Sequence, residues 1–372
     1  MSVTQRSLAL DTFRGLTVCL MIIVNTPGDY EHTFAPFLHA NWHGFTPTDL
    51  VFPSFLFAVG NAMVFASKKW EERTTAQVVG KILKRTLIIF LLGYLLYWFP
   101  FFRHENGQWS LSPVANTRIL GVLQRIALCY GIASLFLYFL KLRWTLIISA
   151  AILLLYWVIC FSWGDAADPL GMQTNAGFYF DRWLMGDAHM YQGEGVPFDP
   201  EGWLSTLPAI VNVVAGYAAG KFIVEKGMQY ETITKLLLAG FTLIVIAYFW
   251  NFVFPINKKL WTSSFVLHTV GLDCLVLGAL MFITGIQNKT RWTTFFQVFG
   301  RNPLFIYLLS ELLVVVFYLA EIGDQSLYQW IHLHLFSFAG WYWSSLLFAV
   351  SYMLVCWLVG YWLDRKKIYI RV

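Results

Sequence analysis

The residues of this 372-residue chain best suited to chemistry fall in a few short stretches. The first is His39-Ala40-Asn41-Trp42-His43-Gly44, leading on to Asp49 with no basic side chain in between. An imidazole titrates near neutrality, so it can take a proton from a nucleophile and return it to a leaving group. Either His39 or His43 could play that part, although a lone loop histidine is more often plain polar surface. Asp49 has a plain use, because together with Thr46 or Thr48 it can cap the helix that follows. His39 and His43 are four apart, which suits a pair of metal ligands, but no third ligand follows at a recognisable spacing and no metal is expected.

Other polar groups interrupt apolar runs. Asn25 ends Met21-Ile22-Ile23-Val24-Asn25, and its amide must bond a neighbouring helix or polarise a bound carbonyl. Asp11 and Arg14 are three apart on one helix face, so either they pair or Arg14 grips phosphate oxygens. Arg118 and Arg125 are seven apart, two helical turns, with Gln124 beside the second. They need carboxylates, phosphates or carbonyls, and Asp273 and Glu311 are the carboxylates expected for a structural network. The stretch from Pro255 to Phe265 holds Lys258, Lys259, Trp261 and Ser263 and suits a bound anion or an acidic partner.

The elements that position these residues follow from composition. Apolar residues make up 58% of the chain and charged residues 13%, with mean hydropathy +0.59. One water-soluble core cannot hide so much apolar surface, which excludes a soluble enzyme, a disordered chain or a disulfide scaffold. The five cysteines all lie in apolar runs without a CxxC pair. The first apolar run carries Asp11 and Arg14, a poor signal peptide, so it is expected to stay as a helix. The fold expected is an all-α polytopic membrane protein, one domain over 1–372. Ten spans of about 20 residues are read at 9–28, 48–67, 80–100, 117–140, 143–163, 203–224, 233–255, 261–285, 296–320 and 338–364. The segment 325–337 is apolar but short: an interfacial or re-entrant piece, or an eleventh crossing.

Basic residues alternate between connections. Arg6, the group from Lys68 to Arg85, Lys141 and Arg143, Lys221 to Lys235, Lys289 and Arg291, and the C-terminal group Arg365 to Arg371 fall on one side. Arg103, Arg182, Lys258 and Lys259 fall on the other. The positive-inside rule then puts both termini in the cytoplasm. The long outer loop, about 164–202, holds seven carboxylates against Arg182 and reads as a solvated loop or as an acidic rim that attracts cationic substrates.

In their order along the chain, these motifs resemble the heparan-α-glucosaminide N-acetyltransferase family, within a wider set of transmembrane acyltransferases. The likeness runs from Ser7 to about Leu363. It rests on Leu10-Asp11-Thr12-Phe13-Arg14-Gly15, Val24-Asn25, the stretch from His39 to Gly44 and Asp49-Leu50-Val51-Phe52-Pro53. Gly121 to Arg125, Asp199-Pro200-Glu201-Gly202, Lys258 to Ser264 and Gly300-Arg301-Asn302-Pro303 add to it. The resemblance implies transfer of acetyl from cytoplasmic acetyl-CoA to a glucosamine amine across the membrane. His39 falls on the active-site histidine and Asn25 on its partner. The CoA phosphates are then expected on Arg14, Lys84 and Arg85, with Arg118, Gln124 and Arg125 along the path. The acceptor is expected against Trp42, His43, Asp49, Lys258, Lys259, Trp261 and Ser263. A homodimer in a bacterial inner membrane, with no nucleic-acid partner, completes what it implies. The loop from Thr26 to Leu38 looks a few residues longer than in animal members, which leaves the acceptor sugar open. A transporter of amino sugars is the competing class, since buried charge and aromatic outer loops also suit sugar binding with proton coupling.

Overall fold

The computed structural model describes residues 8–105 and 108–370. Arg6, Arg371 and the side chain of Arg103, all used in the orientation argument, lie outside the described residues. Nearly every long apolar run is a helix. Eight are long and apolar enough to cross a membrane: α1 (Leu8–Asn25), α2 (Pro47–Ser67), α4 (Val122–Phe139), α5 (Leu142–Trp163), α7 (Trp203–Lys226), α8 (Tyr230–Trp250), α9 (Ser263–Met281, continued by a π turn to Ile286) and α13 (Trp341–Arg365).

The ninth expected span is two helices, α10 (Thr293–Arg301) and α11 (Pro303–Leu319), bent by 83°. Asn302 between them is not helical, and Pro303 has no N–H to continue the ladder. The third expected span forms α3 (Thr75–Trp98). It is long enough, but Lys81, Lys84 and Arg85 make its first half too charged to stand with the other eight. The structure therefore supports eight or nine apolar crossings rather than ten by length and composition. The segment 325–337 is no crossing. It folds as a five-residue helix, α12 (Leu327–Ile331), then a π turn and a 3-10 turn.

α2 and α7 form the centre, each 67% buried over its most apolar stretch, whereas α5 and α8 are 28% buried and form an outer wall. The central pair approaches through glycine. A Cβ on Gly60 of α2 would lie 2.0 Å from the Val213 carbonyl oxygen, and one on Gly216 of α7 would lie 2.0 Å from that of Phe57. Small residues of this kind let membrane helices close to backbone contact.

The loop 164–202 is not simply a solvated acidic rim. It contains α6 (Ala176–Met185), and Asp181, Asp199 and Glu201 are buried. Trp42 Nε1 donates to the Leu170 carbonyl at 3.0 Å and its ring packs edge-on against Phe198, which pins the loop over the helix ends.

Candidate active site

The C-terminal end of α1, the N-terminal ends of α2 and α4, and the loops before α7 and α9 meet around a cavity of about 220 Å³. Asn25, His39, Arg118, Lys258 and Lys259 are on its wall, joined by Tyr191, Glu194 and Glu201. Residues from five segments far apart in sequence are thus gathered at one end of the bundle.

His39 is held from below. Its Nδ1 lies 2.7 Å from Asp49 Oδ1, and the Asp49 side chain is only 1% exposed. The other Asp49 oxygen accepts from the Ala40 and Thr46 backbone N–H groups at 3.2 and 2.9 Å and from the Thr46 hydroxyl at 3.1 Å. Asp49 therefore caps α2, as expected, and also orients His39, which the sequence did not suggest. It stands behind the histidine instead of on the cavity wall, so it is not placed as a substrate contact.

A carboxylate can only accept, so Nδ1 carries the proton and Nε2 presents a lone pair. Lys258 Nζ lies 3.1 Å from that Nε2 and 3.3 Å from Nδ1, over the ring and not in line with the lone pair. Burial and the Lys258 ammonium hold the imidazole below its ordinary value of 6.5, with Asp49 opposing. Burial also lowers Lys258, against the pull of Glu201 and Asp49. Lys259 is tied to Glu194 at 2.5 Å and to the Asn41 carbonyl at 3.0 Å. Asn25 Nδ2 reaches Glu311 Oε1 of α11 at 3.4 Å, a long contact that leaves the amide available.

Arg118 is the hub of the opposite wall. Its Nε and one terminal nitrogen grip Asp199 at 3.0 and 2.6 Å, and the same nitrogen reaches Glu201 at 2.6 Å. Its other nitrogen donates to the Tyr97 hydroxyl at 3.2 Å, and the guanidinium lies over the Tyr97 and Tyr191 rings. The network expected for this arginine exists, but its carboxylates are Asp199 and Glu201 and not Asp273 or Glu311. Burial would raise Glu201, but Arg118, Arg125 and Lys258 outweigh it and hold the carboxyl below its usual range. So Arg118 fixes the loop that supplies Glu201, and it is spent on protein carboxylates rather than left for a phosphate.

Arg125 is fully buried behind this wall. It donates to the Gly202 carbonyl at 3.0 Å and to Ser205, and lies 4.8 Å over the Trp261 ring. Trp261 is itself buried, with its Nε1 on Asn212 at 3.1 Å, and Ser263 Oγ donates to the Leu153 carbonyl. Gln124 is buried against Gly93. None of these four lines the cavity, and neither do Trp42 and His43, whose Nδ1 takes a 3.3 Å contact from Asn257. Trp261 and Ser263 in particular are packing residues. Arg14 pairs with Asp11 at 2.9 Å, eleven residues before Asn25 and so about 16 Å down the α1 axis. Arg85 lies 4.6 Å over the Tyr130 ring, and Lys84 is exposed. These three cations stand apart from the cavity, toward the other end of the bundle. Among the described residues, no group of three or more His, Cys, Asp or Glu side chains converges as metal ligands would.

Sequence reasoning placed Glu201 in a motif and in the acidic loop but gave it no role at the site. Its buried pairing with Arg118, 83 positions away, has no local signature. A loop motif that mixes carboxylates with Pro and Gly, set against two arginines in an apolar run, was the available signal.

A family model described as the catalytic region of heparan-alpha-glucosaminide N-acetyltransferase matches residues 6–247. The chain belongs to this family. The matched stretch contains Asn25, His39, Asp49, Arg118 and Glu201, and stops short of Lys258. Heparan-alpha-glucosaminide N-acetyltransferase of Mus musculus is 28% identical over 374 residues, covering 84% of this chain and 54% of the mouse protein. The Homo sapiens protein of the same name is 28% identical over 363 residues, covering 82% and 52%. The chain thus spans about half the length of these curated relatives.

Proposed function

We propose that this membrane protein transfers the acetyl group of acetyl-CoA to the amine of a glucosamine-type sugar. The observation that carries the reading is the cluster of Asp49, His39 and Lys258 at the cavity, within a chain of the N-acetyltransferase family. An oriented imidazole with its lone pair facing a cavity is what an amine needs in order to lose a proton as it attacks.

In the step proposed, the amine nitrogen attacks the thioester carbonyl carbon. The C–N bond forms as the C–S bond breaks, His39 Nε2 takes the amine proton, and the CoA thiolate receives it. The Lys258 ammonium and the Asn25 amide stand on the same wall as donors for the oxygen on which negative charge grows. Glu201 and Glu194, each paired with a cation of the same wall, present remaining carboxylate lone pairs as acceptors for sugar hydroxyls. Direct transfer is the route proposed, with the Nε2 lone pair set by Asp49 acting as base.

The proposed topology has both termini in the cytoplasm and the His39 cavity at the outer end, of an inner membrane in a bacterial cell. The basic residues at the opposite helix ends support it. With α3 counted as a crossing and α10–α11 as one bent crossing, the spans number ten. The CoA nucleotide then rests at the basic end, where Arg14, Lys84 and Arg85 lie, and its acyl arm reaches between the helices. The family likeness also carries the proposal of a homodimer.

The test is transfer from radiolabelled acetyl-CoA to glucosamine by the purified protein in detergent. Wild type should label the amine, and His39→Ala should lose about 10²- to 10⁴-fold in rate while still binding CoA. If neither protein transfers label nor binds CoA, the acyltransferase reading fails and sugar transport in vesicles is the next assay.

A further inference from the structure

A second cavity, about 570 Å³, opens between the loop after α1, the α12 segment and the start of α13. It shares no lining residue with the first. Its polar wall is made by Asp29, Gln325, Gln329, His332 and Ser344, and Trp341 forms one side. Several of these groups are fixed. Asp29 holds His32 at 2.5 Å, His32 stacks on the Trp341 ring at 4.7 Å, and His332 Nε2 lies 2.7 Å from Ser344 Oγ. Gly28 is required for this packing, since a Cβ there would lie 2.4 Å from the His332 ring. The side-chain amides of Gln325 and Gln329 bond to no other described residue, and Trp341 is 70% exposed.

We infer that this cavity is a subsite for further sugar units of an oligosaccharide acceptor, uncharged or bearing amines. The inference rests on the acetyltransferase reading above and deepens it. A sugar ring presents an apolar C–H face and a rim of hydroxyls. The exposed Trp341 ring suits the face, and free amides, each both donor and acceptor, suit the rim. Charge decides the class further. No Lys or Arg lines the cavity, so sulfate groups or a phospholipid phosphate would find no cation there, whereas Asp29 favours an amine.

Position links the two cavities. Asn25 lines the first and Gly28 the second, and three extended residues span at most about 11 Å. The Tyr30 hydroxyl donates back to the Asn25 carbonyl at 3.2 Å, which ties the connecting loop to the end of α1. A chain with its terminal amine beside His39 can therefore extend along this loop into the larger space.

The experiment compares glucosamine with the β-1,4-linked glucosamine trisaccharide as acceptors, in wild type, Trp341→Ala and Gln329→Ala. Both altered side chains are exposed, so neither change removes core packing. The ratio of kcat/KM for trisaccharide over monosaccharide should fall about tenfold in each variant. The N-acetylated trisaccharide, which offers no amine, is titrated separately by calorimetry. It should bind wild type and His39→Ala alike and bind both variants more weakly. An unchanged ratio together with unchanged binding overturns the subsite while leaving the acetyltransferase reading intact. Absence of any transfer by wild type overturns the reaction instead, and the calorimetry then decides the subsite alone. If Trp341→Ala changes the oligomeric state and not sugar binding, the surface is an interface between copies and the subsite is wrong.

Discussion

At the scale of single residues, His39 carries two opposed influences that can be separated. Lys258 and burial lower its pKa, and Asp49 raises it. The base must be neutral to act, so activity is lost as pH falls through the folded-state pKa. That pKa lies below 6.5, and the acid limb of kcat/KM should lie there too. Lys258→Met removes one lowering influence and should move the limb upward. Asp49→Asn removes the raising influence, but its greater effect is on the tautomer. The asparagine NH₂ would face Nδ1 and drive the proton to Nε2, where no lone pair then remains. A fall of about 10²-fold or more in kcat is expected, with CoA affinity kept. A pH–rate series on the three proteins checks both statements, and identical limbs in all three would remove His39 from the role of base. Part of the lining of this cavity was legible in sequence. Five expected site residues, Asn25, His39, Arg118, Lys258 and Lys259, do share one cavity wall. Hydropathy could not show that Asp49 turns one oxygen to the cap and the other to the imidazole, because that depends on a side-chain angle.

At the scale of elements, the close approach of α2 and α7 holds the cavity floor in place, since Thr48, Val51 and Phe52 of α2 line it. Gly60→Ala puts a methyl 2.0 Å from a carbonyl oxygen and 2.6 Å from the Tyr217 nitrogen, where only backbone movement makes room. Overpacking of this kind costs about 1–3 kcal/mol. The thermal midpoint in detergent should drop measurably, while Gly80→Ala, with nothing near its Cβ and a better helix former inside α3, should hold or raise it. Helix positions were legible for the same reason that most spans are: long apolar runs have few alternatives in lipid. The bend of α10–α11 was less so. Gly300-Arg301-Asn302-Pro303 marked it, but a run of 25 residues still reads as one span until the non-helical Asn302 is seen. Trp261 and Ser263 misled for a physical reason. Polar and aromatic residues beside a lysine pair look like a binding surface, yet the turn at Thr262 sends them into the core.

For the whole molecule, the proposed orientation has a direct test. All five cysteines are buried, so the native chain offers little background to a membrane-impermeant maleimide. Ala167→Cys and Lys366→Cys, both at exposed positions, should label from opposite faces of sealed vesicles. Labelling from the same face would break the alternation of spans and with it the path from a cytoplasmic donor to an outer acceptor. That path also creates a hazard. A thioester drawn from the cell's interior to a cavity facing bulk water can lose its acyl group as acetate, and each such event drains the cytoplasm with nothing gained outside. The position of Lys258 bears on this, because its Nζ lies over the imidazole, 3.1 Å from Nε2 and 3.3 Å from Nδ1, and its charge keeps His39 a weaker base toward water. An amine is the stronger nucleophile and needs less help from a base than water does. Lys258→Met should therefore raise the ratio of acetate release to sugar acetylation, as read by thiol titration without and with sugar, even if both rates fall. The same lysine would then serve as a guard against futile turnover, keeping the base too weak for water while an amine still reacts.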